Sequence, residues 1–82
     1  MDTKQEVLAI LDEVLSLNGR ANGFELDTAL LGALPELDSM AVVGVINMLE
    51  ERFGLVVDDD EIDGATFATV RTLVEFVDGK LA

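Results

Sequence analysis

The stretch "LPELDSMAVVGVINMLEERFG", residues 34–54, decides the fold because it contains a helix together with the signals for both of its ends. Its apolar residues recur at helical spacing, at Val42, Val45, Ile46, Leu49 and Phe53. An Asp-Ser pair precedes this repeat and Gly54 follows it, as is common at the ends of helices. We therefore predict a helix from Asp38 or Ser39 to Phe53 with one side facing a core.

Helical spacing also appears on either side of this segment. Residues 3–17 place apolar residues on one face, at Val7, Leu8, Leu11, Val14 and Leu15, before a stop at Asn18-Gly19. Thr69 is a candidate cap for a last helix with apolar positions at Val70, Leu73, Val74, Val77 and Leu81. Short helical turns fit residues 28–31 and 65–67. The sequence thus predicts one all-α domain over residues 1–82, a four-helix bundle with three long helices, one short helix and a long first loop, residues 18–37.

Composition limits the classes of function. Half of the 82 residues are hydrophobic despite a net charge of −12, so we expect one small folded domain rather than a disordered acidic chain. There is no cysteine, which suits a reducing compartment, and we expect a cytoplasmic protein without a signal peptide or membrane insertion. Between residues 36 and 63 nine acids stand against one base. This charge disfavours nucleic acid and anionic membranes and favours a basic protein partner.

Ser39 is the residue whose chemistry is in question. The chain has neither histidine nor cysteine, so no imidazole can activate Ser39, and a Ser/His/Asp hydrolase is excluded. We expect the protein not to be an enzyme. Two interpretations remain for the Asp38-Ser39 pair: a helix cap worth about 1 kcal/mol, or a hydroxyl that another enzyme modifies with a phosphate ester at the positive end of the helix.

Three motifs together resemble the acyl carrier protein family over nearly the whole chain. They are Asp38-Ser39-Met40 at the start of the second helix, "LEE" with "FG" at residues 49–54, and Thr69-Val70 at the start of the last helix. The resemblance implies that 4′-phosphopantetheine is attached to Ser39, next to Asp38, and that acyl groups are held as thioesters on this arm. It also implies a monomer whose partners are a phosphopantetheinyl transferase and acyl ligases, synthases or acyltransferases with basic docking surfaces.

The chain departs from the family pattern in two places. It reads "ELDSM" where fatty-acid carriers usually read "GADSL", and it has Gly44 and Asn47 where they often place acid or bulk. These departures favour a carrier of a specialised fatty-acid or polyketide-like pathway. An aminoacyl or D-alanyl carrier protein is the alternative within the family.

One side of the second helix lies away from its apolar stripe, and we call it the partner face. Its members are Met40, Val43, Gly44, Asn47, Glu50 and Glu51. We expect Met40 and Val43 to anchor a partner, with Asn47 beside them and with Asp38, Glu50 and Glu51 as an acidic rim. An adaptor without a prosthetic group would use the same face, so the placement of Ser39 alone separates the two functions.

The acidic run "DDDEIDG", residues 58–64, raises a further alternative, a divalent-cation-binding module. With Gly64 at the sixth place of an EF-hand loop, Asp59, Glu61 and Asp63 occupy places one, three and five. Val70 then stands at the twelfth place, where the motif needs a bidentate glutamate. We therefore expect no specific metal site, and only loose binding of divalent ions.

Overall fold

A computed structural model describes residues 2–81, except for the side chain of Asp59. It contains three α-helices: α1, Thr3–Leu15; α2, Ser39–Phe53; and α3, Val70–Leu81. Two short 3₁₀ turns, Arg20–Gly23 and Asp59–Glu61, lie in the connections. Within the described residues the only β pairing is a single antiparallel bridge between Ala29 and Thr69, so the all-α prediction is confirmed. No helix in this part of the chain is long and apolar enough to cross a membrane.

The first helix ends two residues earlier than predicted. Ser16 adopts a left-handed conformation, with φ of 54°, and its amide donates to the Asp12 carbonyl, so Leu17 is buried outside the helix. The Asp12 carboxylate then accepts the amides of Gly19 at 2.9 Å and Ala21 at 3.2 Å. Asp12 thereby provides acceptors for two loop amides and fixes the start of the first loop.

The predicted helical turn at residues 28–31 is absent, whereas residues 65–67 form a turn that the Ala68 amide closes by donating to the Ala65 carbonyl at 3.2 Å. The three long helices of the predicted four-helix bundle are present, and the structure has short 3₁₀ turns in place of the short fourth helix. Residues 64–67 form turns, and the 3₁₀ turn lies earlier, at Asp59–Glu61. Residues 26–31 instead pair with residues 67–71, an arrangement we call the loop clamp. Its four backbone hydrogen bonds run from Leu30 to Ala68, Leu31 to Phe67, Val70 to Thr28 and Arg71 to Leu26, at 2.9–3.0 Å. The two segments satisfy each other's backbone groups, which removes the need for a local helix.

The core is centred on α1, which packs against both α2 and α3. Its largest fully buried side chains include Ile10, Leu11, Leu49, Phe67 and Leu73. The predicted stripe of α2 faces this core, with Val45 and Leu49 buried and with Val42, Ile46 and Phe53 half-buried against it. These contacts leave the start and the outer side of α2 at the surface.

Gly44 was predicted on the partner face, and the structure corrects this. A Cβ added to Gly44 would lie 3.2 Å from Val14 Cγ1 of α1. Gly44 is therefore half-buried where the two helices meet, and its missing side chain lets them approach closely. A contact inside the fold, rather than contact with a partner, explains a glycine in the middle of this helix.

Candidate functional site

Asp38 and Ser39 have different roles at the start of α2. Asp38 is extended, with φ of −102°, and its carboxylate accepts the Ala41 amide at 2.8 Å. Its carbonyl also accepts the Val42 amide at 2.9 Å, so Asp38 is the N-cap. Ser39 is the first helical residue and is exposed, and its hydroxyl forms no hydrogen bond with any other residue in the described range 2–81. The cap is thus provided by Asp38, which leaves the Ser39 hydroxyl accessible for chemistry.

The segment before α2 is fixed to the rest of the protein. The Leu34 amide donates to the Leu30 carbonyl at 2.9 Å, and Leu37 is buried in the core. Glu36 forms an ion pair with Arg20 of the first loop at 2.5 Å. The hydrogen bond from Arg20 lowers the pKa of Glu36, so this carboxylate stays ionised in more acidic solution than an ordinary glutamate does. These contacts set the position from which Ser39 projects.

A pocket of about 460 Å³ lies beside Ser39. It is lined by Leu31, Leu37, Asp38, Ser39, Val42, Ile62, Asp63, Gly64 and Phe67. Most of these side chains are apolar, so a flexible group attached to Ser39 would find an apolar surface next to its point of attachment. Leu31, Ile62 and Phe67 were not predicted to be site residues from the sequence. The only signal for them was the presence of apolar residues in loops, which does not show what they face.

The predicted partner face is largely at the surface. Met40 is 84% exposed and Val43 is 56% exposed, and Asn47 and Glu51 are exposed beside them. Glu50 differs, because it is half-buried and its carboxylate accepts the Val57 amide at 2.9 Å. Glu50 therefore orders the loop after α2, and four predicted residues remain as the exposed surface next to Ser39.

The electrostatic surroundings of Ser39 are acidic. Within residues 2–81, neither Asp38 nor Glu51 forms an ion pair. Arg52, the one base of α2, is turned to α1, where it contacts Glu6 at 2.7 Å and Glu13 at 4.0 Å. The exposed side of α2 thus presents negative charge and two apolar side chains without a nearby base.

The acidic run after α2 does not form a metal site in the part of the chain that the structure describes. Glu61 is paired with Lys80, and the Asp63 carboxylate accepts the Thr66 amide at 3.1 Å. The side chain of Asp59, the first place of the EF-hand pattern, lies outside the described residues. Two of the three acids in the pattern are therefore already occupied by contacts within the protein.

Two comparisons connect this geometry with known proteins. A family model described as "Phosphopantetheine attachment site" matches residues 5–77. The chain is also similar to a solved structure, the solution NMR structure of a holo acyl carrier protein from Nitrosomonas europaea. The TM-score is 0.91 at 49% sequence identity, over 99% of this chain and 98% of that chain. No protein with a curated description matches significantly. Both similarities extend well beyond the segment around Ser39.

Proposed function

We propose that Ser39 carries the covalent 4′-phosphopantetheine of this chain, which belongs to the acyl carrier protein family. The observation that carries this proposal is the division of roles at the start of α2. Asp38 alone caps the helix, and the exposed Ser39 hydroxyl has no structural task in the described chain.

The residues around Ser39 fit such a group. The first amides of a helix have no partner within the helix, and the positive end of its dipole favours a phosphodiester. Asp38 uses the Ala41 amide, which leaves the amides of Ser39 and Met40 at this end of α2. The pocket that begins at Ser39 offers apolar side chains to the rest of the arm.

The polypeptide itself supplies position and recognition. When bound, the arm provides the thiol that this cysteine-free chain lacks, and acyl groups are held on it as thioesters. With no histidine or cysteine, the chain has no group suited to catalyse acyl transfer alone, so we propose a carrier rather than an enzyme.

Partner enzymes, the phosphopantetheinyl transferase included, dock on the exposed side of α2 in this proposal. Met40 and Val43 are the apolar anchors, and Asp38 and Glu51 are the acidic rim. Acidic side chains raise the rate of association with a basic partner, while apolar side chains buried in the interface lengthen the lifetime of the complex. A partner that reaches Ser39 must approach Asp38 and Met40, which are its neighbours in the chain, and one that extends along α2 also covers Val43 and Glu51.

We further propose a specialised fatty-acid or polyketide-like pathway. Gly44 no longer supports this assignment, because its contact with Val14 explains it. The support that remains is the "ELDSM" sequence around Ser39 and the exposed Asn47 on α2. Loading the modified protein with a panel of acyl and aminoacyl ligases tests the cargo. Efficient loading by aminoacyl ligases alone would replace this assignment with an aminoacyl carrier.

The attachment site is tested by incubation with coenzyme A, magnesium and a broad-specificity phosphopantetheinyl transferase, followed by intact mass. We expect one phosphopantetheinyl addition to the wild type and none to Ser39→Ala. The chain's other serine, Ser16, provides a matched control. Ser16→Gly suits the left-handed backbone there and should be modified like the wild type. An unmodified wild type, with a transferase active on another carrier protein, would contradict the proposal.

A further inference from the structure

One wall of the pocket beside Ser39 is a short segment held at both ends. We call residues 62–66 the strap. It joins the 3₁₀ turn Asp59–Glu61 to the start of α3, and its members Ile62, Asp63 and Gly64 line the pocket. Whatever holds the strap in place therefore determines whether this wall stays closed.

The attachment at the α3 end of the strap does not depend on charge. Phe67 is buried in the core, and the carbonyls of Phe67 and Ala68 accept the amides of Leu31 and Leu30 at 2.9 Å. Buried apolar contact and backbone hydrogen bonds respond little to salt. This end of the strap is a fixed point.

The attachment at the other end is an ion pair. Glu61 contacts Lys80 in the last turn of α3, and the other Glu61 oxygen accepts the Asp58 amide at 3.1 Å. Lys80 lies ten residues beyond Val70, which is about 15 Å along the helix axis at the rise of an α-helix. Among the described residues, Lys80 is the one base within ion-pair distance of residues 58–63, a run that contains five acids. Repulsion between these acids opposes the closed arrangement, and Lys80 counteracts it.

We propose that the Glu61–Lys80 ion pair is a clasp that holds the strap closed, so that Lys80 sets how often the pocket beside Ser39 opens. Lys80 is thus a positioning residue although it lies at the far end of α3. Half-buried Ile62 adds apolar contact to the closed strap, and opening pivots on the fixed end at Phe67. The relevance of this opening to an attached arm rests on the proposed function.

A single cysteine placed in the pocket measures its opening. Val42 is half-buried and lines the pocket from α2, opposite the strap, and the chain has no other cysteine. The labelling rate of Val42→Cys with a thiol reagent, in the unmodified protein, reports access to this wall. The protein that carries Val42→Cys alone is the parent. Its labelling rate is compared, at low and at high salt, with the rates of three variants that add Lys80→Gln, Lys80→Arg, or the exchange of Glu61→Lys with Lys80→Glu. Arg71→Gln is the control, because it breaks the exposed Arg71–Asp27 pair on the same helix.

At low salt, Lys80→Gln should speed labelling by about two- to fivefold, the range that a partly exposed ion pair supports. Salt should speed labelling in the parent, because it screens the clasp. In Lys80→Gln only the repulsion between acids is left to be screened, so salt should leave labelling unchanged or slow it. Lys80→Arg should keep the parent's rate. The exchanged pair should label more slowly than Lys80→Gln but not as slowly as the parent, because a lysine at position 61 cannot accept the Asp58 amide. Arg71→Gln should also label at the parent's rate.

Equal rates for Lys80→Gln and the parent at low salt would overturn the proposal, as would an equal acceleration by Arg71→Gln. If Val42→Cys does not fold, hydrogen exchange of the Thr66 amide, which donates to the Asp63 carbonyl at 3.1 Å inside the strap, gives the same comparison. These measurements use the unmodified protein. A labelling result against the clasp would not affect the proposal that Ser39 is the attachment site. Conversely, if Ser39 is not modified, the labelling result would still show whether the ion pair holds the pocket closed.

Discussion

Gly44 of α2 lies directly against Val14 of α1, because a Cβ added to Gly44 would be only 3.2 Å from Val14 Cγ1. The contact fixes the separation of the two helices at this point. It also fixes the rotation of α2, so that Val43 on one side of Gly44 is exposed while Val45 on the other side is fully buried. Which side of α2 is exposed therefore depends on a contact made behind it.

Gly44→Leu should destabilise the protein by about 1–3 kcal/mol, because a large side chain must push α1 and α2 apart. Urea unfolding measures the change. In a double-mutant cycle, adding Val14→Ala should recover part of the loss by making room for the leucine. Unchanged stability in Gly44→Leu would mean that Gly44 faces solvent after all.

Val43→Asp should slow modification of Ser39 while changing stability by no more than about 0.5 kcal/mol, because Val43 is exposed. Val45→Asp, at a position with no exposure, should unfold the protein by burying an unpaired charge. Circular dichroism and the rate of phosphopantetheinyl addition are the two measurements. If Val43→Asp is modified at the wild-type rate, partner recognition lies elsewhere, most simply in the first loop.

Asp38→Ala should lower stability by about 1 kcal/mol, because the Ala41 amide loses its acceptor. Ser39→Ala should cost less than about 0.5 kcal/mol, since the Ser39 side chain is exposed. Thermal unfolding of the two variants beside Asp38→Ser, which keeps a capping oxygen, separates these effects. The reverse order of stability would show that Ser39 is the cap.

The Arg20–Glu36 pair should give a pH-dependent contribution to stability. The hydrogen bond from Arg20 lowers the pKa of Glu36 from its ordinary 4.5 in the folded state. The contribution is therefore fully present above 4.5 and is lost as pH falls through the lower folded pKa. Glu36→Gln should be less stable than the wild type at pH 7, and the difference should shrink below pH 4.5. Urea unfolding over a pH series measures it, and a difference that is constant with pH would contradict the assignment.

Added salt or divalent cations should raise the melting temperature, because they relieve repulsion in a chain with a net charge of −12. Salt also weakens the Glu61–Lys80 pair, but one pair is outweighed by the excess of acids. Calcium and magnesium should act alike and bind weakly. Tight, calcium-selective binding in calorimetry would instead support an EF-hand-like site in residues 58–64.

The second helix could be predicted to within a residue because both of its end signals are local. Asp38 caps its own helix, and Gly54 adopts the left-handed conformation, with φ of 66°, that ends it. The end of α1 was missed because the left-handed turn at Ser16 is accompanied by contacts of Asp12 with Gly19 and Ala21, which periodicity does not reveal.

The candidate site was predictable at Ser39 and not in its surroundings. The pocket walls come from Leu31 and Phe67, which meet only because the loop clamp pairs distant segments. The helical wheel placed Gly44 beside Met40 and Val43, since it gives angles around one axis and not the position of the neighbouring helix. The contact of Glu50 with the Val57 amide was missed for the same reason, because it depends on where the chain turns back after α2.

The loop clamp brings the two ends of the segment that contains α2 side by side. This segment is therefore an insert whose ends are joined by backbone pairing and by the Arg71–Asp27 ion pair, in a frame made by α1 and α3. The outer side chains of α2 take no part in that joining, so they can be replaced without disturbing it.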